Sequence, residues 1–165
     1  MTGPAGRSQR GWVTLLLVPH GIEEKPTPSA ELKRRVREHL AARAPATVAR
    51  RLRVEGPRYV PVSVSAELVP LPAQSVGALE ARLRDRLDRF LHPLTGGVAQ
   101  QGWGFGQTVH LSQIASVLER TEGVDFARGI RLGVEGRLYD DSVPVDTDML
   151  VAPGDHEIKL VLGVD

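Results

Sequence analysis

Residues 91–125 read LHPLTGGVAQQGWGFGQTVHLSQIASVLERTEGVD, and this stretch joins two helical patterns through a long loop of unusual composition. Pro93 ends the first helical pattern because a proline ring does not fit the interior of a helix. Gly96 and Gly97 permit backbone angles that a side chain would forbid. The loop carries no catalytic spacing of polar groups, so we expect it to serve structure or contact.

Trp103 and Phe105 lie inside this loop, in a five-residue stretch (102–106) where they alternate with glycines. The whole chain has only 2 Trp, 2 Tyr and 3 Phe. We therefore expect this pair to anchor the loop, either in the core of the protein itself or on a partner. The candidate structural or partner-contact residues of the loop are Pro93, Gly96, Gly97, Trp103, Phe105 and Gly106.

The composition of the 165-residue chain limits its class of function. A chain of this length makes one ordinary domain or two small ones. The 21 basic residues are balanced by 20 acidic residues, so the net charge gives no argument for nucleic acid or an anionic membrane. Cysteine is absent, which excludes disulfides and thiolate sites, and no apolar run is long enough to span a bilayer. We expect a soluble protein made in the cytoplasm.

The first part of the chain predicts a strand, a helix and a second strand. Residues 1–11 lack periodicity and predict a flexible N-terminal arm, with binding to a neighbour as the alternative. Residues 12–18 are almost uniformly apolar and predict a central strand buried on both faces. A helix is predicted over 28–44, because its apolar residues recur every four positions. Residues 48–54 predict the second strand.

The second part begins with the clearest strand pattern in the chain, residues 60–68, in which apolar and polar residues alternate. Pro61 favours an edge position or a strand start. Residues 76–91 predict a helix with one apolar stripe and with ion pairs four residues apart on its outer face. The remaining predicted features are the loop 92–111, a helix capped by Ser112 and ending at Gly123, a strand over 124–134 with a bulge at Gly129, a long linker over 136–154 and a last strand over 158–162.

These elements predict an α+β protein made of two small α/β sandwich units, with helices packed on mixed sheets. The first unit, residues 12–55, has the order strand, helix, strand. The second unit, residues 56–165, has the order strand, helix, helix, strand, strand and contains both long loops. The pattern leaves open whether the two units are a weak internal duplication or one sheet with helices on one face.

We find no pattern of residues that indicates a catalytic, cofactor or metal site. The 5 histidines, at positions 20, 39, 92, 110 and 156, lack the spacing of metal ligands. The acids Asp140, Asp141, Asp146 and Asp148 lack the glycine and the closing glutamate of a calcium loop. His156, between Asp155 and Glu157, could relay a proton only if a nucleophilic side chain lay opposite it, and the sequence contains no nucleophile motif. We expect a protein that is not an enzyme, with a hydrolase that uses His20 as one alternative.

The basic face of the predicted first helix gives the main alternative function. Lys33, Arg34, Arg35 and Arg37 are placed to contact phosphates, which would make the chain a small nucleic-acid-binding module. No aromatic set for base stacking accompanies them, so we interpret them as a solvated helix face.

Several short sequence motifs occur in a distinctive order along the chain. They are VPHG at 18–21, KPTPSAEL at 25–32, GPRYVPVSV at 56–64, FLHPLTGG at 90–97, GWGFG at 102–106, LS at 111–112 and GVD at 123–125. Together they resemble the C-terminal region of baseplate J-like proteins, the wedge components of contractile phage tails and related injection systems. The resemblance covers roughly residues 12–163 and is weakest over the last thirty.

The resemblance implies a non-enzymatic structural wedge protein that mediates assembly of a baseplate ring. Its partners would be other wedge, hub and sheath proteins, within a homo- or hetero-oligomer of a phage tail or tail-like particle, and it would bind no cofactor, small-molecule substrate or nucleic acid. Family members carry a much longer N-terminal part, so we expect a fragment, a split gene product or a reduced member. We expect partner contacts at the GWGFG loop and at the 136–154 linker.

Overall fold

A computed structural model describes residues 11–72 and 75–161 of the chain. The chain divides into two compact units, of which the first ends at Arg58 and the second begins at Tyr59. Helices and mixed sheets are both present, which confirms the predicted α+β class. The predicted N-terminal arm falls, except for Gly11, outside the described residues.

From residue 11 onward, the first unit has four elements: β1 (Val13–Leu16), α1 (Ala30–Ala41), α2 (Ala46–Ala49) and β2 (Leu52–Glu55). The two strands pair in parallel, and α1 packs against β2. Helix α1 begins after Ser29, whose side chain accepts a hydrogen bond of 3.1 Å from the Leu32 N–H. The helix therefore begins after the predicted start at Pro28, because the Ser29 side chain caps it. It ends at Ala41, before the predicted Ala44, since the next residues form a turn in which the Arg43 N–H donates to Leu40 O.

Both strand predictions for the first unit need correction. Residues 12–18 do not form a central strand buried on both faces, since β1 pairs with β2 in a two-stranded sheet and Val13 remains 47% exposed. An apolar run fixes neither the number of neighbouring strands nor the burial. The predicted strand 48–54 begins only at Leu52, because Pro45 starts the one-turn helix α2, which takes up Val48.

The second unit contains most of the core. Its elements are β3 (Arg58–Pro70), α3 (Val76–Leu91), β4 (Val109–His110), α4 (Leu111–Glu119), β5 (Val124–Val134), β6 (Arg137–Tyr139), β7 (Ser142–Val143), β8 (Met149–Pro153) and β9 (Glu157–Leu160). Five strands form a mixed sheet in the order β6-β5-β3-β8, with β9 parallel to β3, while β4 and β7 pair separately. Helix α3 packs against β8 and β9, and α4 packs against α3 and β5.

Strand β3 shows the predicted alternation, with Val62, Val64 and Leu68 at 0–1% exposure. Of the two positions predicted for Pro61, the edge position is wrong, because β3 has partners on both sides. Pro61 precedes Ser63, where the register with β5 begins, so it occupies the early part of the strand. A proline is tolerated there because no ladder bond to β5 depends on its missing N–H.

Helix α3 carries the predicted apolar stripe, in which Leu79, Leu83, Leu87 and Leu91 are fully buried. Two of the predicted ion pairs are present on its outer face, Glu80 with Arg84 and Asp85 with Arg89, each with an N···O distance of 3.0 Å. Such exposed pairs stabilise a helix by a few tenths of a kcal/mol each. The packing of the leucine stripe therefore contributes far more to the stability of α3.

The region 136–154 is not a structureless linker, because it contains β6, β7 and β8. Val134 pairs with Arg137 across a two-residue turn in which Glu135 and Gly136 have φ of 50° and 81°. Two positive φ angles in a two-residue loop are typical of the type I′ hairpin, whose twist matches that of the strands. The Glu-Gly pair is the sequence signal that the prediction missed.

Two further predictions concern single residues. The bulge at Gly129 is confirmed, since the register with β3 shifts between Ser65 and Glu67 and Gly129 has φ of 60°. The cap at Ser112 is wrong, because α4 begins at Leu111. The N–H of His110, immediately before the helix, donates instead to the Gln113 side chain at 3.0 Å. The predicted last strand is β9, and Leu162 lies outside the described residues.

Candidate functional site

The candidate site is the loop that runs from the end of α3 to β4, residues 92–108, which we call the connector loop. Helix α3 ends because His92 is extended (φ −62°, ψ 126°) immediately before Pro93, the conformation that a following proline favours. The His92 Nδ1 atom accepts a hydrogen bond of 3.2 Å from the Leu94 N–H. Pro93 itself is buried, so the first turn of the connector loop belongs to the packed interior.

Trp103 anchors the connector loop to the last turn of α3. Its side chain is 6% exposed, and its indole Nε1 donates to the Phe90 carbonyl oxygen at 2.9 Å. The Trp103 and Phe90 rings meet edge to face, with centroids 5.5 Å apart and planes at 89°. The same carbonyl oxygen also accepts the Gly97 N–H at 2.7 Å. One backbone oxygen thus holds two separate parts of the loop.

The backbone of the connector loop closes on itself through further hydrogen bonds. The Trp103 N–H donates to Pro93 O and the Gly102 N–H donates to Gly96 O, both at 2.9 Å. A Cβ on Gly96 would lie 2.1 Å from the Phe90 oxygen. Gly102 has φ of +86°, and a Cβ there would lie 2.6 Å from the Pro93 oxygen. Only glycine therefore fits at these two positions, and the loop is compact because of them.

Phe105 behaves differently from Trp103. Its side chain is 40% exposed within residues 104–107, which we call the tip of the loop. The structure therefore buries one of the two aromatic residues that are close in sequence and exposes the other. The tip is nevertheless held in place, because the Gly106 N–H donates to Met149 O in β8 at 3.1 Å and the Gly104 N–H donates to the Gln107 side chain at 2.7 Å. The connector loop therefore presents an exposed aromatic ring on a fixed backbone.

A groove lies between the connector loop, the end of α3 and α4, with a volume of about 540 Å³. Three arginines line it, Arg86 and Arg89 from α3 and Arg120 from the end of α4. The Arg86 guanidinium donates to the Arg120 carbonyl oxygen at 3.4 Å, and Arg89 pairs with Asp85. The sequence reasoning missed this groove, because Arg120 follows the two α3 arginines only after a loop and a second helix. The one local signal is the spacing of three residues between Arg86 and Arg89.

His156 is buried beside α3 and does not form the relay that its neighbours in sequence suggest. Its Nδ1 atom accepts the Val64 N–H at 3.1 Å, so in the neutral ring the proton is on Nε2, which lies 3.2 Å from Asp88 Oδ1. Arg84 donates to the His156 carbonyl oxygen. Glu157 pairs with Lys159 instead. These contacts connect α3 to β3 and to the start of β9, which is a structural role.

The electrostatics of Asp88 follow from this position. Partial burial raises the pKa of the Asp88 carboxyl above its usual value, and the negative charge of Asp85 raises it further, while the Arg84 guanidinium opposes both effects. The charged form of Asp88 is therefore less favourable in the folded chain than in the unfolded chain.

The other candidate residues are dispersed. His20 is exposed in the loop after β1. On α1, Lys33 lies 3.8 Å from Glu55 and Arg34 lies 3.3 Å from Glu38, so carboxylates partly neutralise the basic face. Within residues 11–72 and 75–161, no group of three or more His, Asp or Glu side chains is placed to hold a metal ion. None of the helices in these ranges combines the length and the apolar composition that a membrane span requires.

No family model matches the sequence, and no curated protein matches it. Among solved structures, the fold is similar to that of a chain in the six-fold symmetrised cryo-EM structure of the anti-feeding prophage baseplate. The TM-score is 0.63 at 16% sequence identity, and the match covers 88% of this chain and 30% of that chain. The two chains share a fold, and this chain spans about a third of the length of its neighbour.

Proposed function

We propose that this protein is a structural component of the baseplate of a contractile tail or tail-like injection system, and that it acts there as a wedge protein of the baseplate ring. The observation that carries this proposal is the fold that 88% of the chain shares with a chain of the anti-feeding prophage baseplate. The phrases FLHPLTGG and GWGFG, which resemble baseplate J-like proteins, support the same role independently.

The geometry of the connector loop is suited to assembly. Phe105 and Val98 are 40% and 74% exposed on this loop, whose backbone is held by Trp103 and by the hydrogen bonds of its glycines. A contact surface that is already ordered loses little conformational entropy when a partner binds. We therefore assign the tip of the connector loop as a contact with a neighbouring baseplate subunit.

The proposed role is tested by the protein content of purified particles. The tagged full chain is expressed in the cell that produces the particle, and particles isolated on a density gradient are quantified by mass spectrometry against the sheath and tube proteins. We expect a constant ratio of the chain to these proteins across preparations. Recovery of the chain only in the soluble fraction, with none in the particles, would overturn the baseplate role.

The contact surface is tested separately with two matched variants. Phe105→Ala removes the exposed ring of the connector loop, and Phe126→Ala removes a ring of similar exposure (44%) on β5. We expect Phe105→Ala to reduce incorporation into particles while Phe126→Ala leaves it unchanged. Reduced incorporation for Phe126→Ala alone would place the contact on β5 and would leave the baseplate role intact.

A further inference from the structure

We propose that the groove between α3, α4 and the connector loop binds a short acidic segment of a partner protein. This proposal goes beyond the baseplate role and does not rest on it, because it follows from the charge and shape of the groove alone. The groove is lined by Arg86, Arg89 and Arg120 and by the apolar side chains of Phe90 and Val117.

The charge of the groove is of one sign. Three arginines line it and no carboxylate does so among the described residues. The positive charge of Arg89 is partly neutralised by its ion pair with Asp85. Arg86 instead donates one long hydrogen bond, of 3.4 Å, to the uncharged carbonyl oxygen of Arg120, so its positive charge is not neutralised by that contact. Guanidinium groups bind carboxylates through two parallel hydrogen bonds, and the side chains of Gln113 and Ser116 provide further donors along α4. The complementary ligand is an anion with carboxylate geometry.

The groove also requires an apolar group on the ligand. Phe90 and Val117 form part of its lining, and Val98 is 74% exposed at its edge. A partner side chain that covers these residues removes apolar surface from water and adds to the affinity in proportion to the area covered. The expected ligand is therefore a peptide in which an aliphatic or aromatic residue is flanked by Asp or Glu.

The observations favour a peptide over a nucleic acid. A volume of about 540 Å³ lies within the range of pockets that enclose a small ligand, so the groove holds a few side chains and not a duplex. Asp85, Glu119 and Glu122 stand along the chain next to the lining arginines. Because Asp85 pairs with the lining Arg89 and leaves a limited positive charge, a short segment with one or two carboxylates matches the groove better than a phosphate backbone with a charge at every nucleotide.

The groove is held open by the same contacts that hold the connector loop. Phe90 lines the groove, and its ring and carbonyl oxygen are in contact with Trp103. Gly96 and Gly97 form the adjacent part of the loop and hydrogen-bond to the end of α3. The binding surface is thus formed before the ligand arrives, which reduces the entropic cost of association.

The test selects ligands without prior assumption. A random peptide library displayed on phage is panned against the purified full chain, and the recovered peptides are synthesised with a fluorophore and titrated by fluorescence anisotropy. We expect the recovered peptides to be rich in Asp and Glu around an apolar residue. Their affinity should fall about tenfold or more when the groove carries Arg86→Gln, Arg89→Gln and Arg120→Gln together.

A matched control removes the same number of charges elsewhere. Arg34→Gln, Arg35→Gln and Arg37→Gln alter the exposed face of α1 in the first unit, and we expect no change in peptide affinity. Circular dichroism and the melting temperature establish that each variant is folded. Val98→Asp gives a second test at the edge of the groove, where the side chain is exposed, and it should weaken binding by repulsion.

Three results would overturn the proposal. The first is recovery of peptides without acidic residues, and the second is equal affinity of acidic peptides for the groove variant and the native chain. The third is a thymidine oligonucleotide that binds the native chain, loses affinity in the groove variant and displaces the peptides, which would assign the groove to nucleic acid. None of these results alters the content of purified particles, so failure here is distinguishable from failure of the baseplate role.

Discussion

Replacement of Trp103 measures how strongly the connector loop is anchored. Trp103→Ala removes a side chain that is 6% exposed, its edge-to-face contact with Phe90 and its hydrogen bond to the Phe90 oxygen. Truncation of a buried tryptophan costs about 3–5 kcal/mol. For a unit of this size, about 1 kcal/mol corresponds to about 4 °C, so the second unit should melt about 12–20 °C lower.

Trp103→Phe separates the hydrogen bond from the packing. The ring is retained, and the Phe90 oxygen keeps its hydrogen bond of 2.7 Å from the Gly97 N–H, so no buried acceptor is left without a donor. The expected loss is the net value of one hydrogen bond together with a small packing defect, about 1–2 kcal/mol. Trp12→Phe in the first unit is the matched control, since Trp12 is 39% exposed and should change stability by less than about 0.5 kcal/mol.

The assay is urea unfolding followed by far-ultraviolet circular dichroism, together with hydrogen exchange of peptides from the connector loop. Hydrogen exchange reports on the connector loop separately from the rest of the chain. In the native chain, the Gly102 and Trp103 amides should exchange slowly, because they donate hydrogen bonds to Gly96 O and Pro93 O. A loss below about 1 kcal/mol for Trp103→Ala, or unchanged exchange in the loop, would refute the anchoring role.

Three further predictions concern stability. Gly102→Ala should destabilise the chain by about 1–3 kcal/mol, because φ is +86° and the new Cβ would clash with the Pro93 and Leu94 backbone. Gly77→Ala in α3 adds a Cβ that meets no atom within 4 Å outside its own stretch of helix, so it should stabilise the chain by up to about 1 kcal/mol, and urea unfolding of both variants measures the opposite signs. Gln113→Ala removes the bond to the backbone before α4 and should cost about 0.5–1 kcal/mol, with helical ellipticity and melting temperature as readouts. For Asp88, the folded pKa is raised above the ordinary value of 3.8, so the folded chain binds the proton more tightly and its stability falls as the pH rises between these two values. The stability of the native chain relative to Asp88→Asn should therefore rise as the pH is lowered through this window and level off below about 3.8, and a difference that does not vary with pH would contradict the raised pKa.

The sequence predicts elements well where local periodicity decides them. The alternation of β3 and the leucine stripe of α3 are present because the side-chain period of a strand or helix follows from its backbone geometry. Burial depends instead on distant partners. Residues 12–18 have the composition of an interior strand, yet β1 has β2 as its partner in a two-stranded sheet and leaves Val13 half-exposed. Within 136–154, β7 and β8 also depend on strands far away in the chain, β4 and β3, whereas β6 pairs with the adjacent β5.

The candidate site shows the same division. The glycines of the connector loop could be recognised from sequence, since glycine accepts angles and close approaches that other residues do not. The different fates of Trp103 and Phe105 could not, because they depend on an acceptor 13 residues away from Trp103, the oxygen of Phe90. The arginine groove was missed for a related reason. It exists only when two helices and a loop are brought together, and no short stretch of sequence contains it.

The shared acceptor at the end of α3 has a mechanical consequence. Because the Phe90 oxygen receives both the Gly97 amide and the Trp103 indole, a force that displaces the loop tip is transmitted directly to the helix axis. An outward movement of the loop would break the indole hydrogen bond and separate the Trp103 and Phe90 rings at the same time. A load applied at Phe105 would therefore be divided between α3, through Trp103, and β8, through the hydrogen bond from the Gly106 N–H to Met149 O.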